Sequence, residues 1–215
     1  MSVPTPTMYY RAIGNTGIVT SVFGFGFWAT FGVKDGLLER DGIDKAKSIL
    51  SIARKGGINF FDNAETYGNP EGEAERIFGQ AYSELLSEDP TLWNRSDVVI
   101  TTKLRWGGKG LNQKGLSRKH LMEGMDASLK RLQLDYVDLI YCHRPDSLTP
   151  TETTVRAMTD LVRIRYLYLM GEKKVKSANF LNGSLTLTCS MLHGPSIFCC
   201  LCSGTTREGL RLGDQ

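Results

Sequence analysis

Asp62, Tyr67, Lys103 and His143 are the side chains from which chemistry can be read. Asp62 closes the run Ile58-Asn59-Phe60-Phe61, and Tyr67 follows five residues later. Lys103 closes Val98-Val99-Ile100-Thr101-Thr102, and His143 closes a third run that begins at Tyr136. These types suit proton delivery to a carbonyl group. A tyrosine, with an ordinary pKa of ~10, is a poor acid near neutrality unless a cation stabilises its phenolate. A lysine can do so, and an aspartate can keep that lysine charged and oriented. A histidine can donate a hydrogen bond to the substrate oxygen. No side chain supplies hydride, so the set implies a nicotinamide cofactor. Taken singly, each residue also has an ordinary structural use: turn carboxylate, packed loop aromatic, solvated strand end, satisfied polar group. The joint pattern at three strand ends is what favours chemistry.

The elements that must position these residues follow from periodicity. Residues 19–28 read as a buried strand rich in Val, Phe and Trp, preceded by a small hairpin around Gly14-Asn15-Thr16-Gly17. A helix is expected over 43–55, stopped by Gly56-Gly57, then a strand over 58–62. Asn69-Pro70-Glu71 suits a helix start, with Ala74, Ile77, Ala81 and Leu85 on the inner face. A strand over 98–103 leads through a loop to Ser117, a cap for a helix over 118–132. A strand over 136–143 and a helix over 152–163 complete the series. Strand and helix alternate four times, which argues for a parallel sheet wrapped by helices. An open doubly wound sheet and a (β/α)8 barrel both fit. In either, all strand C-termini lie at one face, where the four side chains can converge. Gly24 and Gly26 do not make a dinucleotide fingerprint, since no third glycine or helix follows at the required place.

Three segments then carry a resemblance: Asp62-Asn63-Ala64-Glu65-Thr66-Tyr67-Gly68, Ile100-Thr101-Thr102-Lys103 and Asp138-Leu139-Ile140-Tyr141-Cys142-His143. They are similar to signature segments of the aldo-keto reductase superfamily. Trp106-Gly107-Gly108-Lys109, Gly115-Leu116-Ser117-Arg118-Lys119-His120, Arg144-Pro145-Asp146 and Thr154-Val155-Arg156-Ala157-Met158-Thr159 resemble its potassium-channel β-subunit branch. The resemblance covers about residues 8–163. It implies a (β/α)8 TIM barrel, NADP(H) as cofactor and a small aldehyde or ketone as substrate. It makes Tyr67 the proton donor, Lys103 and Asp62 the groups that tune it, and His143 the group that orients the carbonyl. It places Phe27, Trp28 and Lys34, with Asp62 and His143, against the cofactor. The family more often has threonine at the position of Phe27 and glutamine at that of Lys34. Channel β-subunits often have asparagine where His143 stands, so this chain looks more like an ordinary reductase. A homo-tetramer, or a subunit docked on a cytoplasmic channel assembly without catalysis, is the alternative that the branch implies.

Composition bounds these readings. The chain has 215 residues, 41% of them hydrophobic, enough for one sizeable core. The resemblance implies the N-terminal half of a barrel, about four βα units, over residues 1–163. Residues 164–215 read as an atypical tail. That tail holds the whole net charge of +3 and Cys189, Cys199, Cys200 and Cys202, whereas Cys142 stands alone before it. It lacks the motifs of a second half-barrel and reads as a frameshift, a retained intron or an alternative terminal exon. A metal site from these cysteines with His193 is the less favoured reading, and no metal is expected. Tyr166–Met170 can serve as a substitute fifth strand, and Phe180–Leu185 reads as a hairpin about Asn182-Gly183. A half-barrel would expose two sheet edges and be marginally stable or oligomeric, with weak NADPH binding. No signal sequence or long apolar run is present, so a cytoplasmic protein is expected, and the small charge excess gives no reason to invoke nucleic acid.

Overall fold

The computed structural model describes residues 7–28, 30–31, 40–165, 179–181 and 184–186. A hairpin of β1 (Tyr10–Ala12) and β2 (Val19–Ser21) precedes the main sheet. The sheet contains β3 (Phe25–Gly26), β4 (Phe60–Asp62), β5 (Val99–Leu104), β6 (Leu139–Cys142), β7 (Asn179–Leu181) and β8 (Ser184–Thr186). Helices α1 (Arg40–Lys55), α2 (Glu73–Glu88), α3 (Arg118–Leu132) and α4 (Thr151–Arg165) alternate with its strands. Strand order is β3-β4-β5-β6-β8-β7. β3 to β6 are mutually parallel, as expected of βα units.

Register divides the sheet into two faces, because side chains alternate along a strand. Phe61 pairs with Phe25 and Ile100, and Thr102 pairs with Ile140. That face packs against the helices, where Phe61, Ile100, Leu104, Ile140 and Cys142 meet Leu50, Ile77, Phe78, Leu121, Met125 and Met158 in one buried cluster. An aromatic chain runs through it. Phe27 lies 5.0 Å edge-on to Phe78, which lies 5.6 Å from Phe61, and Phe61 is 5.8 Å from Trp93. Such offset and edge contacts add about 0.5–1.5 kcal/mol per pair to simple burial. Phe60, Asp62, Thr101, Lys103 and Tyr141 occupy the other face.

The structure alters several boundaries. The single strand expected over 19–28 is two short ones, β2 and β3. Between them Ser21 Oγ donates to Phe23 O at 2.6 Å, and Gly24 sits where a Cβ would be 2.8 Å from the Phe60 ring. The start of α2 lies beyond Asn69-Pro70-Glu71. That segment holds a cis Asn69-Pro70 bond, and left-handed Gly72 precedes Glu73. The first helical bond runs from Arg76 N–H to Gly72 O at 3.2 Å, while Ala74 N–H donates back to Tyr67 O at 3.0 Å and ties the helix start to that turn. Other signals are met as read. Gly57, at φ 93°, ends α1, and Ser117 Oγ accepts from His120 N at 3.2 Å to cap α3.

Two sheet edges were expected, and the described sheet ends on two, β3 and β7, because the edge of β6 is extended by two further strands. There β8 pairs antiparallel with β6 (Tyr141 with Thr186, Cys142 with Leu185), and β7 pairs with β8 through Leu181 and Ser184. A hairpin was expected in this stretch, and its two strands are present. The Tyr166–Met170 run, Lys34, and the tail cysteines with His193 lie outside the described residues.

α2 and α3 meet where α2 has no side chain. A Cβ on Gly79 would stand 2.5 Å from Leu132 O and 2.6 Å from Arg131 O, both backbone atoms. Gly79→Ala gains about 1 kcal/mol of helix propensity but must push the two helices apart. A net loss of about 2 kcal/mol in urea-unfolding stability is expected.

Candidate active site

Asp62, Lys103 and His143 leave parallel neighbours on the same face, since Asp62 pairs with Thr101 and Lys103 with Tyr141. His143 is the next residue of that parity after Tyr141, and its N–H donates to Leu104 O at 2.9 Å. Tyr67 reaches the same place from the turn after β4. Gly68 allows this, having φ 106°, and a Cβ there would be 2.8 Å from Ala74 N. The four residues are therefore brought together by strand register and one tight turn.

Lys103 is 5% exposed and is the centre of the arrangement. Its Nζ donates to Asp62 Oδ2 at 2.6 Å, to Asn63 O at 2.9 Å and to Tyr67 Oη at 3.2 Å. Thr101 Oγ1 donates to the other Asp62 oxygen at 2.8 Å. Burial pulls the Lys103 pKa down. The charges and hydrogen bonds of Asp62 and Tyr67 outweigh burial and raise it above the ordinary value. The ammonium is thus kept charged beside the phenol, as phenolate stabilisation requires.

His143 completes the group, its ring 5.7 Å from that of Tyr67 and nearly perpendicular to it. Burial, then the nearby charges of Lys103 and Arg144, push its pKa down to about 4. The imidazole is therefore neutral near pH 7, with one N–H to give and one nitrogen to accept. Its buried Nδ1 has no hydrogen-bond partner among the described residues.

A sequence model described as the aldo/keto reductase family matches residues 23–175. The chain belongs to the aldo/keto reductase family. Two curated relatives carry the name "probable voltage-gated potassium channel subunit beta". The one from Arabidopsis thaliana is 51% identical over 164 residues, covering 76% of this chain and 46% of the relative. The one from Oryza sativa subsp. japonica is 52% identical over 151 residues, covering 70% and 42%. Among solved structures, a thermostable aldo-keto reductase in complex with the inhibitor epalrestat superposes with a TM-score of 0.57 at 28% identity, over 73% of this chain and 50% of that one. The chain spans about half the length of the curated relatives it matches.

Members of the aldo/keto reductase family generally bind NADP(H). Trp28 is 43% exposed, two residues beyond the end of β3. Among the described residues, and apart from its chain neighbours, nothing lies within 4 Å of a Cβ placed on Gly26. With the unpartnered His143 Nδ1, these leave room and polarity for a ligand. Trp28, Asp62 and His143 are the residues that would hold it. Phe27, also expected against the cofactor, follows the register of Phe25 and Phe61 toward the helices, and its ring is 0% exposed.

Sequence reasoning missed Thr101, whose bond to Asp62 was legible in principle because Thr101 shares the parity of Lys103. It also missed a buried set behind the site. Glu75 accepts from Thr102 Oγ1 and from Arg131 Nε, both at 2.6 Å, with no exposed surface of its own. No signal in the sequence joins residues so far apart.

The depressed histidine has a measurable consequence. The unfolded chain protonates this ring near 6.5 and the folded chain near 4. Between those values the unfolded state binds more protons, so folded stability falls as pH drops through the window. His143→Gln removes that contribution. The loss of stability from pH 6.5 to 4, measured by urea unfolding, should be smaller than in the native chain by roughly 2 kcal/mol.

Proposed function

We propose that this chain carries the proton-delivery half of an NADPH-dependent aldehyde or ketone reductase. The observation that supports the reading is the bond from Lys103 Nζ to Tyr67 Oη, with Asp62 holding the lysine from the other side. When bound, NADPH supplies the hydride. The neutral His143 ring donates its N–H to the carbonyl oxygen and polarises it. As the carbonyl becomes an alcohol, that oxygen takes the Tyr67 proton. The Lys103 ammonium stabilises the phenolate left behind, and solvent returns the proton. The preorganised donors act where charge develops, in a site largely closed to water on the Lys103 side.

A second reading comes from the names of the curated relatives. It is a potassium-channel β-subunit-like regulatory protein, cytoplasmic, tetrameric and without catalysis. Among the described residues no helix is long and apolar enough to cross a membrane. His143 favours the enzyme, because a neutral imidazole donor beside Tyr67 has a direct use in carbonyl reduction.

The test is NADPH titration of the purified chain by fluorescence, followed by aldehyde turnover. Tyr67→Phe should leave NADPH binding within about twofold while turnover falls by about 100-fold or more. Turnover unchanged in Tyr67→Phe, or no saturable NADPH signal, would overturn the enzymatic reading. Co-purification of an inactive chain with a channel assembly would favour the second.

A further inference from the structure

Glu65 precedes Tyr67 by two residues and takes no part in the lysine-centred group. It is 5% exposed. Its Oε1 accepts from Arg105 N at 2.5 Å and Gly107 N at 3.0 Å, and lies 3.3 Å from His120 Nε2. Its own N–H donates to Lys103 O at 3.1 Å. One carboxylate therefore joins the turn carrying Tyr67, the segment leaving β5 and the first turn of α3. Burial pushes the Glu65 pKa up, but His120 and the two amides outweigh it and hold the carboxyl below the usual range. An ionised carboxylate at this depth is kept there by its donors.

The space around it is shaped to fit. A Cβ on Gly124 would stand 3.2 Å from Glu65 Oε2 and 3.3 Å from His120 Cε1. Gly107, at φ 38°, could carry no side chain, since a Cβ there would be 1.6 Å from Gln113 O. Between the two clamped amides sits Trp106. Its ring lies 3.9 Å from the Arg105 guanidinium, and Arg105 Nε in turn donates to Pro145 O at 2.8 Å. Trp106 is 43% exposed although the backbone on both sides of it is fixed.

We propose that Glu65, supported by His120, is a positioning residue that fixes the 105–107 segment, and with it the exposed Trp106 indole, relative to the turn that carries Tyr67. The turn that carries Tyr67 and the segment that carries Trp106 are then held as one body. The catalytic consequence rests on the reductase reading above, whereas the placement of Trp106 does not.

The indole N–H resonances of Trp28, Trp93 and Trp106, assigned through Trp28→Phe and Trp106→Phe, separate the two. In Glu65→Ala the Trp106 resonance should move or broaden while buried Trp93 reports an unchanged fold. Glu65→Asp, one methylene shorter, cannot reach both amides and should give the same pattern, which decides the matter if the alanine variant fails to fold. Glu65→Gln keeps the acceptor and should restore the native position. In turnover, Glu65→Asp should raise KM for the aldehyde about fivefold or more with kcat within about threefold, because Tyr67 and Lys103 keep their own bond. An unmoved Trp106 resonance in folded Glu65→Asp overturns the inference whatever the kinetics. A moved Trp106 resonance in a chain whose turnover is indifferent to Tyr67→Phe supports the placement and overturns the reductase reading instead.

Discussion

The structure depends on how one buried ammonium is satisfied. Lys103 has three N–H donors and gives one each to Asp62, to Asn63 O and to Tyr67. A lysine at 5% exposure without such partners would lose its charge, since desolvation disfavours the ionised form. Here the acceptors reverse that tendency. The ion pair with Asp62 is weak evidence for stability, because attraction is offset by the cost of removing both charges from water. Its stronger meaning is geometric. The third donor bond fixes a phenol, and a phenol held by a cation is a usable acid.

The rest of the described fold sets up that contact. Parallel pairing of β4 with β5 puts Asp62 opposite Thr101, whose hydroxyl occupies the carboxylate oxygen that the lysine leaves free. The helix-facing side of the same strands is closed by the Phe27–Phe78–Phe61–Trp93 chain, which fixes the sheet from behind. The start of α2 accepts its constraint from the site, since Ala74 N–H bonds to Tyr67 O. At the far end, β8 covers the edge of β6 in antiparallel pairing, where a parallel strand would continue a barrel.

Much of this was legible because strands have a period of two and stop at polar residues. The runs ending at Asp62, Lys103 and His143 declared both the elements and the face on which the chemistry lies. Motif matching says nothing of packing: at Phe27, parity with Phe61 sends the ring into the core. The start of α2 was misplaced because Asn69-Pro70 has the composition of a cap, while the chain spends Gly68 and Gly72 at positive φ to press Tyr67 against the helix. Glu65 and His120 are 55 residues apart, and only packing of α3 on the sheet end brings them together.

The most direct measurement is an NMR titration of the Lys103 Cε resonance in the native chain and in Asp62→Asn. The account predicts that native Lys103 stays charged beyond its ordinary 10.5, and that removing the Asp62 charge leaves burial less opposed and shifts the titration to lower pH. A native Lys103 that loses its proton below 10.5, or one that titrates identically in Asp62→Asn, would contradict it.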